Sequence, residues 1–275
     1  MEAQKPNNPK AAPAKTTKKG GLNSLLVIVL CFIVSVLFYM FVLGAPENYE
    51  NGHPINLMGT IHEGGFVVPI IQGLLILVVV LSVERFIALR KARGSKGVDK
   101  FVKDLKVALE KDNLTEAKTL CKKQGGAIGN AVLSAVEKYV EMSNMSDSAV
   151  AALKKEDRVL AIRNALDEQI NMEMPTLQQN MAIIFTNTTL GTLMGLFGTV
   201  LGMIKSFSAL SASGAPDSAA LSTGISEALV NTASGIATGA LAVISYNYFS
   251  AQIDDITYKM NEAGAVIVAV YEAKN

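Results

Sequence analysis

An apolar run from Leu22 to Gly44, interrupted only by Asn23, Ser24 and Ser35 among strongly polar types and by no charge, constrains this chain more than any other feature. About 20 such residues cross a hydrocarbon core of about 30 Å as a helix. In lipid every backbone polar group must be satisfied internally, so a single span of this kind has to be helical. Three more stretches meet the same test. Phe66 to Val83 carries Pro69 and Gln72 but no charge before Glu84 and Arg85; Met181 to about Ile204 is a third, and about Ile225 to Phe249 a fourth. The last two are rich in Gly, Thr, Asn and Ser, the composition of membrane helices that face other helices rather than lipid. The predicted fold class is therefore an all-α integral membrane protein with four transmembrane helices.

Composition agrees once the runs are seen. The 275 residues are 50% hydrophobic and 18% charged, against about 25% charged in a soluble domain. A net charge of +1 gives no basic surplus for binding nucleic acid. Cys31 lies in an apolar run and Cys121 beside Lys122 and Lys123, which leaves no disulfide framework.

Lys and Arg set the expected topology. The tail holds Lys5, Lys10, Lys15, Lys18 and Lys19 among Pro6, Pro9 and Pro13; Ala45 to Gly65 holds neither Lys nor Arg; Arg85 to Asn180 holds most of the rest; and Ser208 to Ala219 holds none. Positive-inside counting puts the tail, the long segment and the C-terminus in the cytoplasm and the two short loops outside. The predicted organisation is a flexible basic tail (1–21), an N-terminal span (22–44), a periplasmic loop (45–65), a second span (66–84), a helical cytoplasmic domain (85–180), a third span (181–207), a short periplasmic loop (208–220), a fourth span (221–250) and a C-terminal cytoplasmic helix (251–275). The first run exceeds the roughly 7–15 residues of a secretory signal core, so it is expected to be retained; cleavage near Gly44 or Ala45 would leave the remaining topology unchanged.

In the domain, Val102, Leu105, Ala108 and Leu109 recur at helical spacing, Asn113 reads as an N-cap before Leu114 to Leu120, and Gly125 with Gly126 break the pattern. A further helix is expected over Ala127 to Met142 and a loop over Ser143 to Ser148. From Ala149 the pattern predicts one long helix running into the third span, bent at Pro175. No Gly-Lys dipeptide occurs, so a phosphate-cradling P-loop is excluded. His62 and Glu63 lack the second His of a zinc motif, and His53 and His62 read as solvated loop residues. No cofactor or metal is expected, and no catalytic constellation marks an enzyme.

The chemistry concentrates in the last two spans. Thr188, Thr192, Gly195, Thr199, Gly202 and Ser206 recur at helical steps on one face, and Glu227, Asn231, Ser234, Thr238 and Ser245 on another, with Thr232 offset. Gly191 with Gly195, Gly198 with Gly202, and Gly235 with Gly239 supply close-approach pairs. Small residues alone would mean only packing, but Glu227 adds a membrane carboxylate. Ionised at mid-bilayer it costs at least about 2.5–3.5 kcal/mol, less near an end, so it must be protonated, paired or wetted. Lys205 is the basic residue within reach, and a Lys205–Glu227 contact is one alternative; at a helix end Lys205 is expected instead to extend to water, leaving Glu227 to the hydroxyl stripe. A Glu beside Thr, Ser and Asn suits proton relay, and hydroxyls and carbonyls also suit Na⁺.

At these residues the chain resembles the MotA/TolQ/ExbB proton-channel family, most closely its ExbB branch. The resemblance is carried by Gly195-Leu-Phe-Gly-Thr199-Val-Leu-Gly202-Met-Ile, by Ser213-Gly-Ala-Pro-Asp217 and Gly224-Ile-Ser-Glu227-Ala-Leu-Val-Asn-Thr232-Ala-Ser-Gly235, and by Tyr246-Asn-Tyr-Phe249. It covers about Phe66 to Ser250. It implies a homopentamer in the bacterial inner membrane around an ExbD-like single-span partner, with Glu227, Thr199 and Thr232 as functional residues and a TonB-like protein as the recipient of work. TolQ-like or surface-motility work, and a passive scaffold, are the competing readings. The family often has Pro where this chain has Thr192 and Leu241, and ExbB usually has three spans, so the first helix is extra.

Overall fold

The computed structural model describes residues 24–50, 53–95, 97–144, 148–212 and 218–274. The predicted tail, Leu22 and Asn23, part of the expected 143–148 loop, and Ser213 to Asp217 lie outside the described residues.

The chain is almost entirely helical. Helix α1 (Ser24–Phe38) continues through a π turn (Tyr39–Leu43); a 3-10 turn (Pro46–Asn48), a two-residue ladder of β1 (Tyr49–Glu50) with β2 (His53–Pro54), and α2 (Leu57–His62) follow. Then come α3 (Val67–Arg93), α4 (Val98–Glu110), α5 (Leu114–Gln124), α6 (Gly126–Met142), α7 (Ser148–Ala151), α8 (Lys155–Leu177), α9 (Met181–Ala212) and α10 (Ser218–Lys274). Among the described residues, four helices are long and apolar enough to cross a membrane, those of α1, α3, α9 and α10. Their outward faces carry Leu25, Val79, Phe197, Val200 and Ile244, all exposed, an apolar band that fits lipid and not water. Helix α10 runs for 57 residues without a break, about 85 Å at 1.5 Å per residue, from the 208–220 connection through the membrane and the full height of the domain.

The domain core forms where α10 continues beyond its apolar stretch. Ile253, Ile256, Met260, Ala263 and Ile267 of α10 share one cluster with Val132, Ala135 and Val136 of α6 and Ile162 and Leu166 of α8. Tyr271 closes it, donating to Met142 O at 2.8 Å and meeting the Tyr139 ring edge-on at 5.1 Å. Local signals act as the sequence suggests. Asn113 Oδ1 accepts from Glu116 N at 3.1 Å to cap α5, and Gly125 and Gly126 turn the chain with positive φ.

Two expectations change. The long helix from Ala149 is interrupted at 152–154 and again at 178–180, and Pro175 lies inside α8, two residues before its end. The second break has a tertiary cause. Arg85, 1% exposed, donates to the carbonyls of Thr176 at 3.2 Å and Leu177 at 3.4 Å, bonding the orphan carbonyls at the end of α8. Glu84 holds the guanidinium from the other side and accepts from Asn180 at 3.2 Å, while Asn180 takes a φ of 61°. At the first break α8 restarts after an extended Lys154, with Glu156 and Asp157 in its first turn.

The second change concerns His62, which is not simply solvated. Its ring stacks on Tyr39 at 4.5 Å, and its Nδ1 lies 2.7 Å from the Tyr49 hydroxyl. Tyr39 donates to His62 O at 3.0 Å, and Asn48 donates to the carbonyls of Val42 and Leu43. The described residues of the 45–65 loop thereby form a folded cap. Helix α1 is attached beneath it: Phe32 packs over Gly73 of α3, where a Cβ would lie 2.8 Å from the ring, and Ser35 Oγ donates to Pro69 O at 2.6 Å.

Candidate functional site

The site lies where α9 and α10 touch backbone to backbone. Along this contact the buried positions include Asn187, Gly191, Gly195, Gly198, Gly202 and Ser206 on α9, and Gly224, Glu227, Ala228, Asn231, Gly235, Thr238 and Gly239 on α10. Bare α-carbons make this approach possible. A Cβ on Gly195 would stand 3.0 Å from Asn231 O and 3.1 Å from Gly235 Cα, and one on Gly235 would stand 2.6 Å from Gly191 O. Gly198 admits the Asn231 side chain, Gly202 faces Gly224 O and Ala228 N, and Gly239 faces Thr192 Oγ1 and Thr188 O. The structure thus places Gly191, Gly195, Gly198, Gly202, Gly235 and Gly239 in one continuous contact.

The hydroxyls are not one continuous wire. Thr199 and Thr232 hydrogen bond to each other across the two helices, and Ala228 O lies 3.4 Å from the first hydroxyl and 3.1 Å from the second. Thr188 Oγ1 donates to Phe185 O at 2.7 Å, and fully buried Thr238 donates to Ser234 O at 2.9 Å. These bonds back onto their own helix and satisfy the hydroxyls locally. Thr192 abuts Gly239, and Ser234 is half-buried.

Glu227 sits one turn before Asn231. Its side chain is 10% exposed, and its Oε2 lies 2.8 Å from Lys205 Nζ, whose own side chain is 63% exposed. The expectation that Lys205 leaves Glu227 for water is corrected: the long stem allows both, with the ammonium on the carboxylate and much of the chain exposed. A third element completes the pocket. Gly65, at φ 74°, abuts Glu227 Oε1, a position where any Cβ would collide with the carboxylate. Asn231, fully buried, donates from Nδ2 to Gly64 O at 2.8 Å, while its Oδ1 is buried without a hydrogen-bond partner. Sequence reasoning missed the Gly64-Gly65 turn and the Tyr39, Tyr49 and His62 cluster above it. A Gly-Gly pair next to a span was the available signal, since adjacent bare residues often mark a close approach.

Residues 135–262 match the description of the MotA/TolQ/ExbB proton channel family. Over that segment the chain is similar to the MotA/TolQ/ExbB family. It is 35% identical over 89 residues to the biopolymer transport protein ExbB-like 3 of Synechocystis, covering 32% of this chain and 42% of that one. It is 33% identical over 92 residues to the Tol-Pal system protein TolQ of Haemophilus influenzae, covering 34% and 40%. A longer match, 24% identical over 205 residues, joins 73% of the chain to 67% of an ExbB homolog of Methanothermobacter thermautotrophicus. The chain thus spans about two-fifths of the length of the first two relatives. The family segment runs from within α6 into α10, so it contains Thr199, Lys205, Glu227 and Thr232. Helix α1, the folded cap and the Gly64-Gly65 turn lie outside it.

Proposed function

We propose that this chain is an ExbB-like subunit of an ion-driven motor in the bacterial inner membrane, with both termini cytoplasmic, that lets protons cross and converts their descent into movement of an attached partner. One observation carries the reading: the family segment buries a carboxylate, Glu227, between two helices joined by glycine, and holds it with a single exposed cation. The Lys205 ammonium lies 2.8 Å from the carboxylate and attracts it. A proton arriving at Glu227 removes that attraction and frees the ammonium, so protonation and helix position are linked at the α9–α10 contact. Thr199 and Thr232 lie two and one turns further along, joined hydroxyl to hydroxyl, where a proton acceptor on a partner helix would find donors.

The chain is assigned as a homopentamer enclosing an ExbD-like single-span protein, with a TonB-like protein carrying the work to outer-membrane transporters. No bond of a substrate is made or broken, so it is not an enzyme. Each proton crossing 100 mV releases about 2.3 kcal/mol, and several must pass to disrupt a packed interface. The similarity to TolQ proteins, close in identity to that with ExbB, supports a second reading in which the client is a Tol-Pal type envelope machine. Co-expression with a single-span partner and measurement of ionophore-sensitive work test both. Glu227→Gln abolishes that work in either reading and spares it in a passive scaffold.

A further inference from the structure

At the basic end of the spans a cavity of about 690 Å³ opens between the last turns of α3, the start of α4 and the middle of α10. Its wall changes character across the opening. Phe86, Leu89, Ile128 and Phe249 form an apolar side, whereas Arg90, Arg93, Gln252 and Lys259 stand on a polar one with Asp99 and Asp255. Exposed apolar residues fix its depth. Phe86 and Ile87 on α3, and Val243 and Ile244 on α10, are the last outward-facing aliphatic or phenyl groups before the charged stretches, so the cavity straddles the edge of the hydrocarbon and the headgroup layer.

Its lining carries three cations, Arg90, Arg93 and Lys259, and two carboxylates, Asp99 and Asp255. Arg93 Nη2 lies 2.5 Å from Asp255 Oδ2 and 3.0 Å from Gln252 Oε1, and Lys259 Nζ lies 2.7 Å from Asp99 Oδ1 and 2.9 Å from Glu262. Among the described residues Arg90 has no carboxylate partner, and its side chain is exposed toward the opening. Helix α4 begins after Gly97 with no side-chain cap, so its first N–H groups reach the same wall with the positive end of the helix dipole. An unpaired guanidinium, uncapped amides and an adjoining apolar wall are complementary to one monoanionic phosphodiester with an attached acyl chain.

We propose that this cavity holds the headgroup of a monoanionic phospholipid, its phosphate between Arg90 and the start of α4 and its chain along the exposed Phe86. A free phosphate would leave the Phe86 ring uncovered, and a zwitterionic headgroup would bring a further cation beside Arg90. The proposal rests on α3 and α10 crossing a membrane, not on the motor reading. Native mass spectrometry of the full chain in detergent, titrated with phosphatidylglycerol or phosphatidylcholine, tests it. One basic residue near an anionic surface corresponds to about a fivefold change in binding. The wild type is expected to prefer phosphatidylglycerol by about fivefold or more, Arg90→Gln to lose that preference, and Arg90→Lys to keep it; Arg163→Gln, outside the cavity, leaves it unchanged. Equal retention of both lipids by the wild type, an unchanged preference in Arg90→Gln, or displacement of the lipid by an equal concentration of inorganic phosphate would overturn it.

Discussion

Replacing Gly235 by Ala adds one methyl group where α9 and α10 are closest. The new carbon would stand 2.6 Å from both Gly191 O and Gly195 Cα, about 0.8 Å short of the ordinary contact that begins at 3.4 Å. Both neighbours are backbone and cannot rotate away, so the helices must separate. A gap of 0.5–1 Å forfeits about a quarter to a half of each affected van der Waals contact, and inserted methylenes cost about 1–3 kcal/mol. Ala recovers about 0.8–1.0 kcal/mol of helix propensity relative to Gly, which leaves a net loss of up to about 2 kcal/mol. At about 2–4 °C per kcal/mol for a chain of this size, thermal unfolding of purified protein in detergent should fall by up to about 8 °C. The control is Ala240→Val on the exposed face, expected within about 0.5 kcal/mol of wild type. Unfolding of Gly235→Ala at or above the wild-type temperature would refute the claim that this contact is backbone against backbone.

Further outcomes follow from other contacts. Arg85→Met removes a buried cation that bonds the end of α8 and leaves Glu84 unpaired; a loss of at least about 3 kcal/mol is expected, read as a lower midpoint of unfolding, and an unchanged midpoint would contradict the clamp. Lys205→Met leaves Glu227 without its cation; because Lys205 is largely exposed the pair is worth no more than about 1 kcal/mol, so stability should barely change while motor-dependent work falls, and Glu227→Gln on the same background should add little further loss. Burial holds the Cys121 thiol up at about 12, so alkylation at pH 8 should modify Cys121 only after unfolding. The same shift has a sign: stability from the protonated thiol is intact below the unfolded value near 9 and is lost as pH rises toward 12, so an alkaline decline should be shallower in Cys121→Ala.

What could be read from the sequence was what repeats or acts locally. The helical steps linking Gly195, Thr199, Gly202 and Ser206 identify the α9 face because a helix buries one stripe, and Asn113 and the Gly125-Gly126 pair act within a few residues. The break at Asn180 is set by Arg85, and the Glu227 pocket is closed by Gly64 and Gly65, partners about 90 to 170 positions away in the chain. Neither Pro175 nor the apolar pattern announces the first, and nothing near Glu227 announces the second. The hydroxyl stripe shows the limit of periodicity from another side. Spacing puts Thr188 and Thr199 on one face and Thr238 on another, with Thr232 offset, but their bonds to carbonyls of their own turns depend on rotamers, and of these four only Thr199 and the offset Thr232 join across the contact.

The central claim is that Glu227 carries protons. Its most direct test is ionophore-sensitive proton flux in proteoliposomes holding the complex of this chain with its single-span partner, compared between wild type and Glu227→Gln at matched protein content and folding. The account predicts that the substitution reduces flux by at least about tenfold, equivalent to about 1.4 kcal/mol in the limiting step. Flux through Glu227→Gln equal to wild type would contradict it and leave the α9–α10 contact as packing alone.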